Sequence, residues 1–470
     1  EGNINANPLF CNENINNYTL AENSPCIGSG ANGENMGANN IGCGVIYAGP
    51  DWYVSDIGSD QNGDGSYMNP FATIQRGIDY CNIGDTVKVS AGTYNENINW
   101  PESNGISLIG SDAYDCIIDG NQNGSAISID SELVDSNTVI NGFTIQNGYN
   151  YYGGGINIIN ASPSLENLII TSNNGVRGGG LSTNSNIRIK NTIFNNNSSN
   201  SRGGGAHFNY SNATLVNVIF QNNNSAYGGG IYLDNSSIFL KSSSIVNNAS
   251  NSRGGGMYLI NSNPIIENIT LANNNATFSD QLYCGNYSNP SFVNSIIWGD
   301  QNPIELLDNT SDLSATYCDI MGGWSGIGNI DSNPLFCEPD SNNYSLAENS
   351  PCIGSGLAGA NIGSKEIGCG PIYNGPVWHV SASAGSDEIG DGSENTPYIS
   401  IQKALYKCNT SDTIIVAEGI YNENLIWPIK RGIKLIGAGP ENCIVDGGQN
   451  GTVMTFNSSL IDFSTMLKGF

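Results

Sequence analysis

The chain has 470 residues, enough for a large core, and carries 15 basic against 42 acidic side chains for a net charge of −27. That balance leaves no basic patch to neutralise phosphates, which excludes nucleic acid as a partner class. No run of about 18 apolar residues occurs, so no segment reads as a membrane-spanning helix, and regularly placed apolar positions among abundant Gly, Asn and Ser argue against disorder.

In chain order, residues 1–50 read as the closing segment of a preceding unit, ending in a short joint, Ile46-Tyr47-Ala48-Gly49-Pro50. Trp52–Ser55 reads as a strand and Asp56–Pro70 as a loop. Within that loop Asp60-x-Asn62-x-Asp64-Gly65 matches half of a calcium loop, but Phe71 stands where the closing Glu belongs, so a solvated turn is the competing reading. Phe71, Ile74, Ile78 and Cys81 give the one clear helical signal, with Pro70 suited to a first turn. A short amphipathic helix there would shield the open strand edges at the end of a solenoid. Strand-like runs follow at Thr86–Val89, Gly105–Ile109, Cys116–Ile118 and Ala126–Ile129.

The stretch from Asn141 to Asn275 is periodic. Gly triplets begin at Gly153, Gly178, Gly203, Gly228 and Gly254, spaced by 25, 25, 25 and 26 residues. A fixed period of that size marks a solenoid. After each triplet comes an apolar–polar–apolar run such as Ile156–Ile158 or Ile231–Leu233, with Thr183 in one apolar slot. Two further short runs complete each period, for example Ile187–Ile189 and Ile193-Phe194. Alternation of period two means strands with one buried face. Three strands and three turns per period, with no helical interruption, predict a parallel β-helix. A column of Asn147, Ser172, Asn196, Asn222, Asn248 and Asn273, with Gly148, Asn173, Asn197, Asn223, Ala249 and Asn274 one position on, predicts amide stacking and left-handed turns.

The Gly triplet with its following apolar residue, preceded by Phe194-x-x-Asn197 or Phe220-x-x-Asn223, is similar to the repeats of polymorphic outer-membrane proteins and other right-handed β-helix adhesins. The run Trp52–Gly92 resembles the N-terminal cap of pectate-lyase-like β-helix proteins. The stretch Cys318–Phe336 resembles the terminal coil of secreted bacterial β-helix repeat proteins. These resemblances imply an all-β, right-handed parallel β-helix built of tandem units, each with a short capping helix.

A larger repeat overlies the small one. Asn7–Cys11 recurs as Asn333–Cys337 and Leu20–Gly30 as Leu346–Gly356, letter for letter. Gly92-x-Tyr94-Asn95-Glu96-Asn97 returns as Gly419-x-Tyr421-Asn422-Glu423-Asn424. The expected division is therefore a closing segment at 1–50, one complete unit at 51–376 (cap 51–85, coils 86–327, closing segment 328–376), and the cap and first coils of another unit at 377–470. The chain reads as a window cut from a longer tandem array. Twelve cysteines suggest disulfides and an extracellular or cell-surface setting. The candidate local pairs are Cys11–Cys26, Cys81–Cys116 and Cys284–Cys318, with Cys337–Cys352 and Cys408–Cys443 as their copies, leaving Cys43 and Cys369 over.

Chemistry is sparse in the regular coils. Outward acids such as Asp234 read as isolated, so neither the paired carboxylates of a hydrolase nor the base and calcium ligands of a lyase are apparent. Tyr152, Arg177, Arg202, Tyr227 and Arg253 each stand just before a Gly triplet, and form either a stacked structural column or a carbohydrate-binding face. His207 and His379 have no triad partner within sequence reach. Several Asn-x-Ser/Thr sequons, at Asn17, Asn209 and Asn235 among others, permit surface glycosylation. The reading that follows is a non-enzymatic, cofactor-free building block of an extracellular fibre, stalk or adhesin. Its partners would be other copies of itself, laterally or end to end, and surface polysaccharide. The alternative is a polysaccharide lyase, hydrolase or carbohydrate binder.

Overall fold

The computed structural model describes residues 3–4, 6–12, 15–299, 303–307, 309–457 and 461–470. Its backbone winds as a right-handed parallel β-helix. Two compact units divide the chain: one holds Glu1–Pro334, Pro339–Tyr344 and Pro351–Glu366, the other Leu335–Glu338, Ser345–Ser350 and Ile367–Phe470.

In the first unit three parallel sheets, of nine, eleven and ten strands, form the walls. Every second residue points inward, which is why short apolar alternations suffice to make each rung. Ile127, Ile156, Leu181, Ala206, Ile231, Met257 and Leu282 stack in register along the first wall. Ile140, Leu165, Ile189, Leu215, Leu240 and Ile266 do so on the second, and all thirteen are fully buried. On the third wall Phe194 and Phe220 lie face to face with ring centroids 4.6 Å apart. Each fully buried side chain of this kind contributes roughly 1.5–3 kcal/mol, and the column repeats it rung after rung. Thr183 is buried in its apolar slot because its Oγ1 accepts from the Ser185 N–H at 3.0 Å.

Each regular coil has a fourth strand that the apolar pattern did not predict. Asn174–Arg177, Ser198–Arg202, Asn224–Tyr227 and Ala249–Arg253 belong to a six-stranded sheet between the third wall and the Gly triplets. Its inward positions are Ser199, Ser225 and Ser250, whose hydroxyls donate to main-chain carbonyls, for example from Ser199 to Arg202 at 2.9 Å. Polar side chains satisfied by backbone replace the expected apolar ones.

The Asn reading needs a shift of one position. The buried ladder is Asn173, Asn197, Asn223, Asn248 and Asn274, each amide donating to the next at 2.9–3.0 Å. Asn147, Ser172, Asn196, Asn222, Asn247 and Asn273 form the neighbouring turn column, all at φ of +53° to +56°. Asn248, expected among the turn residues, therefore belongs to the ladder and Asn247 takes its place. The triplets behave as expected. Gly178 has φ +71°, and a Cβ on Gly179 would lie 2.2 Å from the Ser198 carbonyl.

The end of the first unit is closed by helix α1 (Ile74–Asp79), packed on strands Asp51–Val54 and Thr86–Val89. Its first N–H groups are held by a side chain from the following coil. Glu96 accepts from Ile74 N at 2.7 Å and Gln75 N at 2.9 Å. Trp52 donates to Asp85 at 2.9 Å beneath it. In the second unit helix α2 (Ile401–Lys407) is held identically by Glu423, at 2.8 Å to both Ile401 N and Gln402 N, with Trp378 on Asp412 at 2.7 Å.

The disulfides differ from the expected pairs. Cys11 is bonded to Cys43 and Cys337 to Cys369, while Cys26, Cys81, Cys116, Cys284, Cys318, Cys352, Cys408 and Cys443 are reduced thiols. The reason is topological. Strand Asn17–Ala21 pairs with both Phe10–Asn12 and Ile41–Cys43; Cys11 falls at a register slip of the first pairing and Ala21, the partner of Cys43, beside a slip of the second, and the two cysteines stand 5.8 Å apart at Cα. Cys26 lies outside that sheet and is buried. The thiols in the coils are core residues: Cys284 stacks on Leu259, and Cys116 donates to the Ser90 carbonyl. Burial raises their pKa values, Cys116 to about 12.

Candidate functional site

Two columns meet at the Gly-triplet corner. On the fourth sheet Tyr152, Arg177, Arg202, Tyr227 and Arg253 are neighbours in register, as their sequence slot predicts. On the first wall, just past the triplets, the outward positions read Asn157, Ser182, His207, Tyr232, Tyr258, Tyr283 and Glu305. Parallel pairing repeats both columns at the strand spacing, so long side chains reach across the corner and along the axis.

The C-terminal half of this face is closed on itself. Tyr232, Tyr258 and Tyr283 are stacked, with centroids 4.8 and 4.3 Å apart. Arg202 places its guanidinium 5.1 Å from the Tyr232 ring and bonds Asp234 at 2.9 Å. Asp234 is thus paired, not isolated as its sequence context suggested. Arg253 lies 4.8 Å from Phe278 and 5.5 Å from Tyr283, with Glu305 at 3.4 Å in an ion pair outside hydrogen-bond geometry. Arg202 and Arg253 stack not on one another but on rings of the coil ahead. Phe278, Tyr283 and Glu305 escaped the sequence reading because they join the column only through that reach; the one available signal was the run of Tyr after the triplets. Burial raises the Tyr232 and Tyr258 phenol pKa values.

The N-terminal half is open. Arg177 sits 5.7 Å from Tyr152 and 5.9 Å from Tyr151, and among the described residues no carboxylate pairs with it. Beside it lies a cavity of about 220 Å³, lined by Tyr152, Asn157, Arg177, Ser182, His207 and Asn209 among others. His207 is 2 % exposed and neither ring nitrogen has a protein partner. Burial first, then the charges of Arg202 and Arg177, hold its pKa down to about 3. Near neutral pH the ring is therefore uncharged and offers one N–H donor and one acceptor. A cation, a neutral imidazole, amides and a hydroxyl around one hollow can hold a hydroxylated, anionic ligand.

The Asp60–Asp64 loop is occupied by its own backbone. Asp60 accepts from Ala72 N, Thr73 N and Thr73 Oγ1 at 2.7–3.1 Å, and Asp64 from Ser66 N at 2.9 Å, while Asn62 donates its N–H to Ser59. Asp387 makes the same contacts to Ile399 N and Ser400 N before α2. Among the described residues no three or more His, Cys, Asp or Glu converge as metal ligands would, and none of the helices is long and apolar enough to cross a membrane.

A family comparison agrees on the fold. The family described as right handed beta helix region matches residues 204–361. No curated protein matches the chain. Among solved structures, the pectate lyase Pel9A is 13 % identical with a TM-score of 0.47, over 69 % of this chain and 98 % of its own. A rhamnogalacturonan lyase is 14 % identical with a TM-score of 0.39, over 61 % and 90 %. The pectin methylesterase PemA from Erwinia chrysanthemi is 12 % identical with a TM-score of 0.36, over 58 % and 90 %.

Proposed function

We propose that this chain is a structural building block of an extracellular or cell-surface fibre, stalk or adhesin, made of β-helix units in tandem. One observation carries the reading: residues that recur between the two copies hold the caps and the closing segments. Trp52 on Asp85 and Trp378 on Asp412, Glu96 and Glu423 on the capping helices, and the disulfides Cys11–Cys43 and Cys337–Cys369 are the same devices repeated. Disulfides persist in oxidising compartments, which supports a location outside the cytosol. Partners are further copies of the unit, laterally or end to end. Electron microscopy of native material is the test. Elongated particles with a repeating axial substructure are expected, and isolated compact monomers would sink the reading.

A second reading, that the face also binds surface polysaccharide, is favoured by Arg177 and His207 around the open cavity. Arg177→Ala is expected to weaken binding of an acidic polysaccharide at least about tenfold, the order of one lost charge-assisted pair. Release of unsaturated products from that polysaccharide would instead assign the face to a lyase.

A further inference from the structure

The closing segment occurs twice in this structure, once with a wall beneath it and once without. Both copies have the same backbone. Gly30 and Gly356 share φ −80° and ψ 179°, Met36 N donates to Cys26 O at 2.8 Å as Ile362 N does to Cys352 O at 2.9 Å, and Asn35 and Asn361 take the N–H of Gly28 and Gly354. The fold of the segment therefore does not depend on what it rests against.

Residues 344 and 351–364 rest on the flank of the first unit's own coils. Tyr344 donates to Asn247 at 2.8 Å, Cys352 to Asp319 at 3.1 Å, and Leu357 N to Asn294 at 2.7 Å. Ser364 lies between Thr270 at 3.0 Å and Ser244 at 2.8 Å. Ile362 is fully buried, and a Cβ on Gly363 would stand 2.7 Å from Ile296. In the N-terminal copy the matching face is bare. Tyr18 is 45 % exposed where Tyr344 is 3 %, Met36 is half-buried where Ile362 is 0 %, and a Cβ on Gly37 would meet nothing within 4 Å.

We infer that the face carrying Tyr18, Cys26, Met36 and Gly37 is a docking surface whose occupant is the coil flank of another β-helix unit of this repeat. That flank is the wall that presents Asn247, Thr270, Asn294 and Asp319. The chemistry fits one partner. A phenol, a thiol and an apolar side chain stand in the order that meets two amides, a hydroxyl and a buried carboxyl on the flank, and the second copy displays that match. Units of an array are thus fastened twice: through the chain itself, and through this clip lying on the side of the unit before it.

The inference rests on the building-block reading, and the full chain tests it. In the wild type the flank is covered by its own residues 351–364. The double variant Ile362→Arg/Ser364→Arg puts two charges where a buried side chain and a hydroxyl triad sit, and uncovers the flank. At tens of micromolar it is expected to associate, at least doubling the mass seen by sedimentation. Adding Met36→Arg, at a position uncovered in the parent fold, is expected to return it to single-chain mass. A variant that stays monomeric, or association that Met36→Arg leaves unchanged, overturns the docking surface. Fibres of native material seen alongside either result would leave the building-block reading intact.

Discussion

The buried Asn ladder makes the most demanding prediction. Asn223 is 1 % exposed and uses its whole amide: Oδ1 accepts from Asn197 N at 2.9 Å and Asn197 Nδ2 at 3.0 Å, while Nδ2 donates to Phe194 O and Asn248 Oδ1, both at 2.9 Å. Asn223→Ala withdraws the acceptor of the Asn197 N–H and a donor to the Phe194 carbonyl, where solvent does not reach. At roughly 1–3 kcal/mol per orphaned group, the local cost is about 4 kcal/mol. A solenoid need not unfold as one cooperative block, so amide hydrogen exchange over residues 193–248 is the better assay than a global melt. About 4 kcal/mol corresponds to exchange faster by roughly a thousandfold. Asn222→Gly is the control. Asn222 is exposed at φ +55°, a conformation Gly adopts freely, so its effect should stay within about 0.5 kcal/mol. Equal acceleration by the two variants would refute the argument that the inner column, and not the turn column, holds the coils together.

Three further outcomes are expected. Glu96→Ala should release α1, costing about 1–2 kcal/mol by analogy with a lost helix cap, and Glu423→Ala should do the same to α2; hydrogen exchange over 74–79 and 401–407 checks both, and unequal effects would mean the two copies are not one device. Burial pushes the Asp319 carboxyl up to about 7. A raised folded-state pKa gives stability that is full below about pH 4 and lost as pH rises through 7. Protection of residues 351–364, relative to the intrinsic exchange rate at each pH, should therefore fall from pH 5 to 8, and Asp319→Asn should flatten that trend. Alkylation of the denatured, unreduced chain should label eight cysteines, with peptide mapping finding Cys11 linked to Cys43 and Cys337 to Cys369; a Cys11–Cys26 peptide would contradict the three-stranded sheet.

The parts legible in the sequence were those governed by apolar alternation and by glycine. The inward columns, the triplet corners, the capping helix and the duplicated motifs all leave marks one residue type wide. The fourth strand left none, because Ser199, Ser225 and Ser250 fill its inward slots and bond to backbone instead of packing. The Asn ladder was read one position off at Asn248 because two adjacent columns are both Asn-rich, and only burial separates the donor chain from the turn residues. The disulfides were misassigned because nearness along the chain stood in for nearness in space: Cys11 and Cys43 meet where the small sheet slips register, which no spacing marks. At the candidate face the column of Tyr and Arg was visible, but not that Arg202 and Arg253 reach forward to Asp234 and Glu305 while Arg177 finds no such carboxylate among the described residues.

The coils are not equal in length, and part of the difference goes into the fourth strand, the rest into the turn from the first wall to the second. From ladder Asn to triplet Gly the chain takes five steps in one coil and six in the next: Asn173 to Gly178, Asn197 to Gly203, Asn223 to Gly228, Asn248 to Gly254. Register slips occur on this sheet between 175 and 177, 198 and 202, and 225 and 227, while the strand pairs of the three long walls run without a slip over the same coils. An insertion or deletion there is absorbed as a bulge at the corner that carries Arg177, Arg202 and Arg253, and the packed interior is untouched. The molecule thus has an edge, besides the turn after the first wall, on which its outward chemistry can be rewritten by single-residue length changes, at little cost to the winding that carries it.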